Sequence, residues 1–393
     1  MVNLGFDIGN ITDKKIEKFK SATQEIFSKQ ASWRNEELII KVNEDYPYIY
    51  TRDLAILINF LVEENQKQLA LGAIKFLKKC QLQTGEWVQR YNENYGREED
   101  KLQEDNTGLA IWAIMNYLER YGDNELSNIE KNLIEGINWI KNNLNDDFNL
   151  LYSHSSNHED GINEGYELWT NSVSAKAIKM YADYFNDSEM YSLYRNIKNA
   201  IMDLLTWEGR FIRKIDKTGQ KYLGPDVILI SPYYFEIISQ QNNYLLESLN
   251  YILDELQDKR LGGLWRYKED VYFPGPWVIY TAIVSKCLFD ADYKKRAVNL
   301  LEWIFSTAKD GKLPEHLVSK KEFEKNKKRQ INRAKNMPVK KMKKVRLGII
   351  KDLEDKFENN DVVGYSRPIM WSHIETSRAL KKGGYIEEIN FRI

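Results

Sequence analysis

The sequence predicts an all-α protein built as an (α/α)6 barrel, a fold in which six inner helices are surrounded by six outer helices. Hydrophobic periodicity indicates about twelve helices and almost no convincing strand. Helices that are apolar over most of their circumference alternate with helices that are apolar on one side only. Connections that follow an apolar helix are very short, whereas the others reach roughly twenty residues or more, far above the usual four to six. Strict alternation of this kind fits two concentric rings better than a bundle or an open solenoid.

The predicted inner helices are those expected to be buried on most sides, and the run LAIWAIM at 109–115 is the clearest example. They span residues 52–63, 107–121, 171–186, 228–241, 277–289 and 371–382. The predicted outer helices, each with one polar face, span residues 13–29, 66–79, 127–144, 189–206, 245–258 and 292–309. All six long loops should therefore lie at the N-terminal ends of the inner helices. Long loops on a rigid scaffold often carry function, and the helix dipoles add a positive potential there.

Composition excludes several classes of protein. Lys and Arg (57) nearly balance Asp and Glu (58), and a net charge of -1 disfavours a nucleic-acid partner. The two cysteines, Cys80 and Cys287, lie in apolar helical patterns that resemble neither a disulfide framework nor a zinc site. No apolar run reaches membrane-spanning length, and the first residues lack a signal-type core. We therefore expect a cytoplasmic protein without a membrane partner, metal or organic cofactor, folded as a single domain over residues 1–393.

A lone acid, Glu315, directly follows Pro314 in the loop after the last predicted outer helix. Proline fixes its own φ and pushes Leu313 towards extended geometry, so Glu315 is held on constrained backbone. A carboxylate placed in this way can serve as a general base, although an ordinary solvated turn would show the same residues.

Aromatic side chains are abundant, with ten Trp and 24 Tyr, and flat amphipathic rings suit the faces of sugars. In the fifth long loop, which precedes the inner helix predicted over 277–289, Arg266 stands beside aromatic residues and carboxylates. Its forked donors could bind adjacent hydroxyls of a sugar, and a structural ion pair is the alternative. The candidates for contact with a sugar stand in long loops or where these meet inner helices, and they are Arg52, Asp53, Trp87, Arg266, Glu269, Trp277 and Trp371. Asp53 could equally be an acid favoured at a helix start.

Four of these stretches resemble, in the same order, successive motifs of glycoside hydrolase family 15, the glucoamylases, and they cover nearly the whole predicted barrel. They are YTRD at 50–53, RYKEDVY at 266–272 followed by Pro276-Trp277, LPE at 313–315 and WSH at 371–373. The resemblance implies an inverting exo-hydrolase that cleaves α-glucosidic bonds of oligosaccharides or glucans from the non-reducing end. Arg52 and Asp53 would then hold the terminal sugar, Arg266 would bind its hydroxyls, and Glu315 would be the general base.

One departure concerns the general acid, which the family usually carries in a Leu-Trp-Glu-Glu stretch of loop three. The similar stretch ELW at 167–169 is followed by Thr and Asn, neither of which is an acid. Because TNSV at 170–173 resembles the start of the family's next helix, which lies several residues beyond the acid, the acid should stand upstream, within 155–165. We assign it to Glu159, with Glu164 as the alternative. Inversion requires the acid and base carboxyls to stand roughly 6.5 to 9.5 Å apart.

The sixth long loop is oversized and basic over residues 318–362, with lysine and arginine clusters at 327–329 and 340–344. It could be a solvated surface insertion with its own helix, or a segment that covers the cleft or favours an anionic partner.

Two other functions stay open. A non-catalytic glucan-binding or regulatory barrel, as in the phosphorylase kinase subunits that look like this family, would explain the missing acid motif, whereas Glu315 argues for catalysis. An epimerase or lyase on a similar barrel would in many cases need a catalytic histidine, and the chain has only His154, His158, His316 and His373.

Overall fold

The computed structural model describes residues 11–97, 102–122, 124–155, 157–158, 164–268, 270, 273–337 and 340–393, and over these residues the chain is mainly helical. The helices are α1 (Asp13–Gln30), α2 (Thr51–Glu63), α3 (Lys67–Lys79), α4 (Asp105–Tyr121), α5 (Ile129–Asn142), α6 (Leu168–Phe185), α7 (Ser188–Leu204), α8 (Ser231–Tyr234), α9 (Asn243–Leu256), α10 (Val278–Asp290), α11 (Lys294–Thr307), α12 (Lys320–Lys335), α13 (Lys340–Phe357) and α14 (Met370–Lys382). None of the helices described here is long and apolar enough to span a membrane.

Short antiparallel strands pair inside the connections between helices. The strands are β1 (Ala31–Arg34), β2 (Glu37–Ile40), β3 (Ile49–Tyr50), β4 (Arg90–Tyr91), β5 (Tyr166–Glu167), β6 (Thr206–Trp207), β7 (Arg210–Phe211), β8 (Lys214–Ile215), β9 (Lys221–Tyr222), β10 (His316–Ser319) and β11 (Val362–Tyr365). They form the sheets β1-β2, β3-β4, β5-β8-β9, β6-β7 and β10-β11. The sequence predicted almost no strand, because segments of two to four residues are too short to show a period of two. Long loops form such pairs because their backbone N–H and C=O groups need partners.

The chain divides into two compact units by its internal contacts. The central unit comprises Ala31–Lys41 and Tyr48–Ser248, and the terminal unit comprises Val42–Pro47, Leu249–Ile393 and the described part of Met1–Gln30. The chain passes from the central to the terminal unit within α9.

Three inner helices, α2, α4 and α6, pack against one another in that order in the central unit. Each is followed by an outer helix, α3, α5 or α7, that packs on it. Gly108 allows α4 to approach α6 closely, since a Cβ at this position would lie 3.1 Å from Val173 Cγ1 and 3.2 Å from the backbone nitrogen of Ser174. The inner helices are buried almost all round and the outer ones on one side, as the alternating hydrophobic pattern predicts.

The helix predicted over 228–241 is wrong in length. The structure has a 3-10 turn at Val227–Ile230 and the four-residue helix α8 in its place. Pro232 has no N–H to donate to the carbonyl of Ile228, and the hydroxyl of Ser231 donates to that carbonyl instead. Glu236 then adopts a left-handed φ of 58°, a conformation that ends a helix. The apolar sequence pattern continues past Glu236, but the helical backbone hydrogen bonds do not.

In the terminal unit the inner helices α10 and α14 pack together, with α11 on both and α1 on α14. The predicted basic insertion over 318–362 contains two helices, α12 and α13, rather than the single helix expected from the sequence. It leaves and rejoins the chain through the β10-β11 ribbon, whose register pairs His316 with Tyr365 and Ser319 with Val362. A separate apolar cluster holds the insertion together, formed by Phe273, Val318, Phe323, Ala334, Ile349, Ile350, Leu353, Phe357, Val363 and Tyr365.

Candidate active site

Long loops meet one another at the N-terminal ends of the inner helices of the central unit. The β3-β4 pair joins the loops that precede α2 and α4, and the amide of Thr51 donates to the carbonyl of Gln89 at 3.0 Å. The β5-β8 pair joins the loop before α6 to the connection after α7. These pairs fix the backbone from which the candidate side chains of this unit project.

Arg52, in the first turn of α2, forms a buried ion pair with Asp105 at the start of α4. Its Nε and one terminal nitrogen donate to Asp105 Oδ2 at 3.1 and 3.0 Å, and the same nitrogen donates to Gln103 Oε1 at 3.0 Å. The indole N–H of Trp169 donates to Asp105 Oδ2 at 3.0 Å. The planar fork of Arg52 is therefore held in one orientation. The sequence analysis singled out Arg52 but missed Asp105 and Trp169 as its partners.

The two other central-unit candidates differ in exposure. Asp53 is the acid of the first turn of α2 and is half-buried. The ring of Trp87 is fully buried, and its indole N–H donates to the carbonyl of Leu77 in α3 at 2.8 Å. A ring held in this way packs the core between helices, and for that reason we do not include Trp87 in the proposed sugar contacts below.

The loop expected to carry the general acid is held by two buried carboxylates. Glu104 accepts hydrogen bonds from the ring and backbone nitrogens of His154 at 2.8 and 3.0 Å, and from Ser153 Oγ at 3.2 Å. Burial raises the pKa of Glu104 although these bonds act against it. His158 Nε2 lies 2.8 Å from Asp226 Oδ1, and both side chains are fully buried.

The predicted acid itself, Glu159, lies outside the described residues. The alternative, Glu164, is exposed, and its Oε1 accepts a hydrogen bond from the hydroxyl of Tyr152 at 3.0 Å.

In the terminal unit, Arg266 is bound to Asp270 in a second buried pair. Arg266 Nε and a terminal nitrogen donate to the two carboxylate oxygens at 2.7 and 2.6 Å. Its guanidinium lies 4.3 Å from the ring centroid of Trp277, and the indole N–H of Trp277 donates to Asp270 Oδ2 at 3.1 Å. Glu269, predicted beside them, lies outside the described residues. Arg266 thus forms the ion pair that was the alternative to a sugar contact, and the ring of Trp277 lies beside it.

A third cluster of the same composition lies in α14, where the indole N–H of Trp371 donates to Glu375 Oε1 at 3.2 Å and Arg378 donates to the same oxygen at 2.9 Å. All three clusters join an arginine, a carboxylate and a tryptophan near the start of an inner helix. The sequence analysis named at least one member of each but none of the three carboxylates.

Glu315 is held on both sides of its backbone. Its amide donates to the carbonyls of Tyr365 and Ser366 at 3.0 and 3.2 Å, and its carbonyl accepts from the amide of Val278 at 3.0 Å. The hydroxyl of Tyr46 donates to Glu315 Oε2 at 2.8 Å. Glu315 is 9% exposed, so the carboxylate is held in a largely buried place. The constrained backbone was predicted, whereas the contact with Tyr46 was missed.

Two of the four histidines, His316 and His373, are packing groups inside the protein. His316 and His373 are fully buried, and burial lowers the pKa of each to about 3. His316 stacks on Trp277 at 4.3 Å, and His373 Nδ1 lies 2.8 Å from Thr23 Oγ1. Both rings are therefore neutral packing groups near pH 7. The described residues contain no cluster of three or more His, Cys, Asp or Glu side chains arranged to hold a metal ion.

Removing the counter-ion of Arg52 should destabilise the protein. We expect Asp105→Asn to lower the free energy of unfolding by about 3 to 5 kcal/mol, because the arginine keeps its charge in a buried place without its partner. Urea unfolding followed by circular dichroism measures the change. Glu125→Gln is the matched control, since Glu125 pairs with Lys67 on a solvent-accessible surface where an ion pair adds little. Equal losses in the free energy of unfolding for the two variants would show that the Arg52–Asp105 pair stabilises the protein no more than an exposed ion pair does.

Comparison with known proteins gives one curated relative and several similar structures. No protein-family model matches the chain. Over 308 residues the chain is 24% identical to an uncharacterised glycosyl hydrolase of Methanocaldococcus jannaschii, a match that covers 70% of this chain and 47% of the relative. The chain therefore spans about half the length of that relative.

Three solved structures share the fold. A glycosidase variant in complex with glucose has a TM-score of 0.69 at 12% identity, covering 96% of this chain and 100% of that chain. The glucoamylase from Saccharomycopsis fibuligera has a TM-score of 0.61 at 13% identity, covering 99% and 98%. D-mannose isomerase has a TM-score of 0.60 at 14% identity, covering 95% and 98%. An isomerase among them shows that this fold serves more than one reaction. The fold class predicted from the sequence, a glucoamylase-type α/α barrel, is confirmed.

Proposed function

We propose that this protein is a glycoside hydrolase that releases glucose from the non-reducing ends of α-linked oligosaccharides or glucans with inversion at the anomeric carbon. The observation that carries the proposal is the setting of Glu315. Its backbone is held by three hydrogen bonds, its carboxylate is oriented by Tyr46, and 9% of the residue is exposed. A fixed carboxylate of this kind can take a proton from an attacking water. The glycosyl hydrolase and glucoamylase among the similar proteins are consistent with this chemistry.

The other roles in the proposal follow the resemblance to the glucoamylases. Glu159 protonates the leaving oxygen, and Arg52 with Asp53 holds the terminal sugar. Arg266 binds hydroxyls in this proposal, and its pairing with Asp270 holds the guanidinium in one orientation. Glu269 joins these polar contacts, and Trp277 and Trp371 supply apolar surface, each with only an edge exposed.

The test is incubation of the wild-type protein with α-linked disaccharides that differ in linkage, followed by ¹H NMR of the released sugar. Under the proposal β-glucose appears first and mutarotates later. The reducing-end glucose of each disaccharide is freed as a mixture of anomers, so early α-glucose in excess of that share would refute inversion, whereas no release from any α-glucoside would refute the hydrolase itself. In the last case, calorimetric binding of malto-oligosaccharides without turnover would favour the non-catalytic glucan-binding barrel.

A further inference from the structure

The basic insertion is built directly onto the chain that carries Glu315. Strand β10 begins at His316, the residue after Glu315, and β11 ends at Tyr365, whose carbonyl accepts the amide of Glu315 at 3.0 Å. Gly275 permits a close approach to this ribbon, because a Cβ there would lie 1.8 Å from the carbonyl oxygen of Leu317. The helices of the insertion are therefore connected to the candidate base by only a few residues of paired backbone.

One arginine of the insertion, Arg346, lies on the inward face of α13. It stands four residues after Met342 and four before Ile350, which are both buried, and the spacing places all three on one side of the helix. Arg346 is half-buried, unlike Lys344 on the same helix, which is exposed. Among the many basic residues of the insertion, Arg346 is thus turned towards the interior of the terminal unit.

Arg346 contacts the two tyrosines that hold Glu315. Its guanidinium carbon lies 5.0 Å from the ring centroid of Tyr46, and a terminal nitrogen donates to the hydroxyl of Tyr365. The hydroxyl of Tyr46 in turn donates to Glu315 Oε2 at 2.8 Å, and the backbone carbonyl of Tyr365 accepts a hydrogen bond from the amide of Glu315. One tyrosine fixes the carboxylate and the other fixes the backbone, and Arg346 connects both.

We propose that Arg346 is a positioning residue for Glu315, so that the basic insertion supports the general base of the reaction proposed above, on which this inference rests. A cation near the face of a phenol ring draws electron density from it and makes its O–H a stronger hydrogen-bond donor. The hydrogen bond from Tyr46 then holds the Glu315 carboxylate more firmly in one orientation. The bond from Arg346 to Tyr365 keeps the ribbon and the insertion in register around the same residue.

Other titratable groups near this arrangement do not replace Arg346. His316 Nδ1 lies 3.9 Å from Glu315 Oε2, but burial lowers the pKa of His316 to about 3, so the ring carries no charge at neutral pH. Asp45, near Arg346, has its pKa raised by burial, while the positive charge of Arg346 acts in the opposite direction. Neither group therefore supplies the contact with Tyr46 and Tyr365 that Arg346 makes.

The test compares Arg346→Met, which keeps the length of the side chain but removes the cation, with Lys344→Met, which removes one charge from an exposed position of the same helix. For Arg346→Met we expect kcat to fall about tenfold and KM to stay within about twofold, because sugar contacts remain while the base is held less well. Lys344→Met should keep the wild-type kcat. Arg346→Lys, which retains a cation, should recover part of the loss.

Thermal unfolding by circular dichroism checks that each variant is folded. A double-variant cycle with Tyr46→Phe gives a second measure, and the combined loss in kcat should be smaller than the product of the single losses. If Arg346→Met does not fold, the cycle is measured with Arg346→Lys.

Independent losses in kcat, or an Arg346→Met protein with wild-type kcat, would overturn the role of Arg346 alone. A wild-type protein that releases no sugar would instead overturn the proposed function, and this is established before any variant is compared.

Discussion

The Glu315→Gln variant is expected to lose turnover by about 10²- to 10⁴-fold on every α-glucoside, including aryl glucosides with good leaving groups. The amide has the shape of the carboxylate but cannot accept a proton from water. Since the backbone of Glu315 is held by its own hydrogen bonds, the fold should be unchanged. Steady-state kinetics on maltose and on a nitrophenyl glucoside measure the effect.

A matched control for this variant is Glu324→Gln, which removes an exposed acid from α12 and should leave kcat unaltered. Azide offers a further check, because a charged nucleophile needs no general base. Adding azide to Glu315→Ala should restore turnover and yield the β-glucosyl azide. Wild-type turnover in Glu315→Gln would exclude this residue as the base.

Glu159→Gln is expected to show a selective loss. General acid help is worth about 10²- to 10⁴-fold for a poor leaving group and little for an activated one. The variant should therefore lose most of its activity on maltose-like substrates but keep a larger share on a nitrophenyl glucoside, unlike Glu315→Gln, which should lose both. The ratio of kcat/KM on the two substrates is the measurement.

The alternative acid, Glu164, gives the decisive comparison, because it is exposed and its Oε1 already accepts a hydrogen bond from Tyr152. We expect Glu164→Gln to retain the wild-type ratio. Selective loss in Glu164→Gln with a normal Glu159→Gln would move the acid five residues and leave the hydrolase proposal intact. Normal activity of both variants would place the proton donor elsewhere in the chain.

The helices were predictable because the buried faces of a helix appear in the sequence as a regular spacing of apolar residues. Helix α4 was expected over 107–121 and spans Asp105–Tyr121, since its residues are apolar on nearly every side. One exception, around α8, involves the missing donor at Pro232 and the left-handed φ of Glu236, neither of which an average over apolar positions registers. Periodicity reports which faces are buried, and it does not report whether each backbone carbonyl finds a partner.

The partners of the candidate residues were less predictable. Arg52 was identified from its place before an inner helix, but its counter-ion Asp105 stands at the start of another helix, where it also fits an ordinary first-turn acid. Tyr46 stands in the loop before the first inner helix, yet its contact is with Glu315, 269 residues further along. The burial of Trp87 was not predictable either, because a tryptophan in a loop gives no sign of whether its ring faces solvent or core. Such contacts depend on which loop ends meet, and a single sequence does not state this.

The β10-β11 ribbon makes the length of the insertion independent of the position of Glu315. The last pair of the ladder, Ser319 and Val362, brings the exit and the return of the chain to one place, with Cα atoms of such pairs about 5 Å apart. Segments gained or lost beyond this pair leave the register at His316 and Tyr365 unchanged. During evolution, α12 and α13 can therefore be replaced without a shift in the backbone of Glu315. Descendants of one ancestral barrel can thus differ in the side chains that surround this carboxylate while keeping the backbone of Glu315 in place.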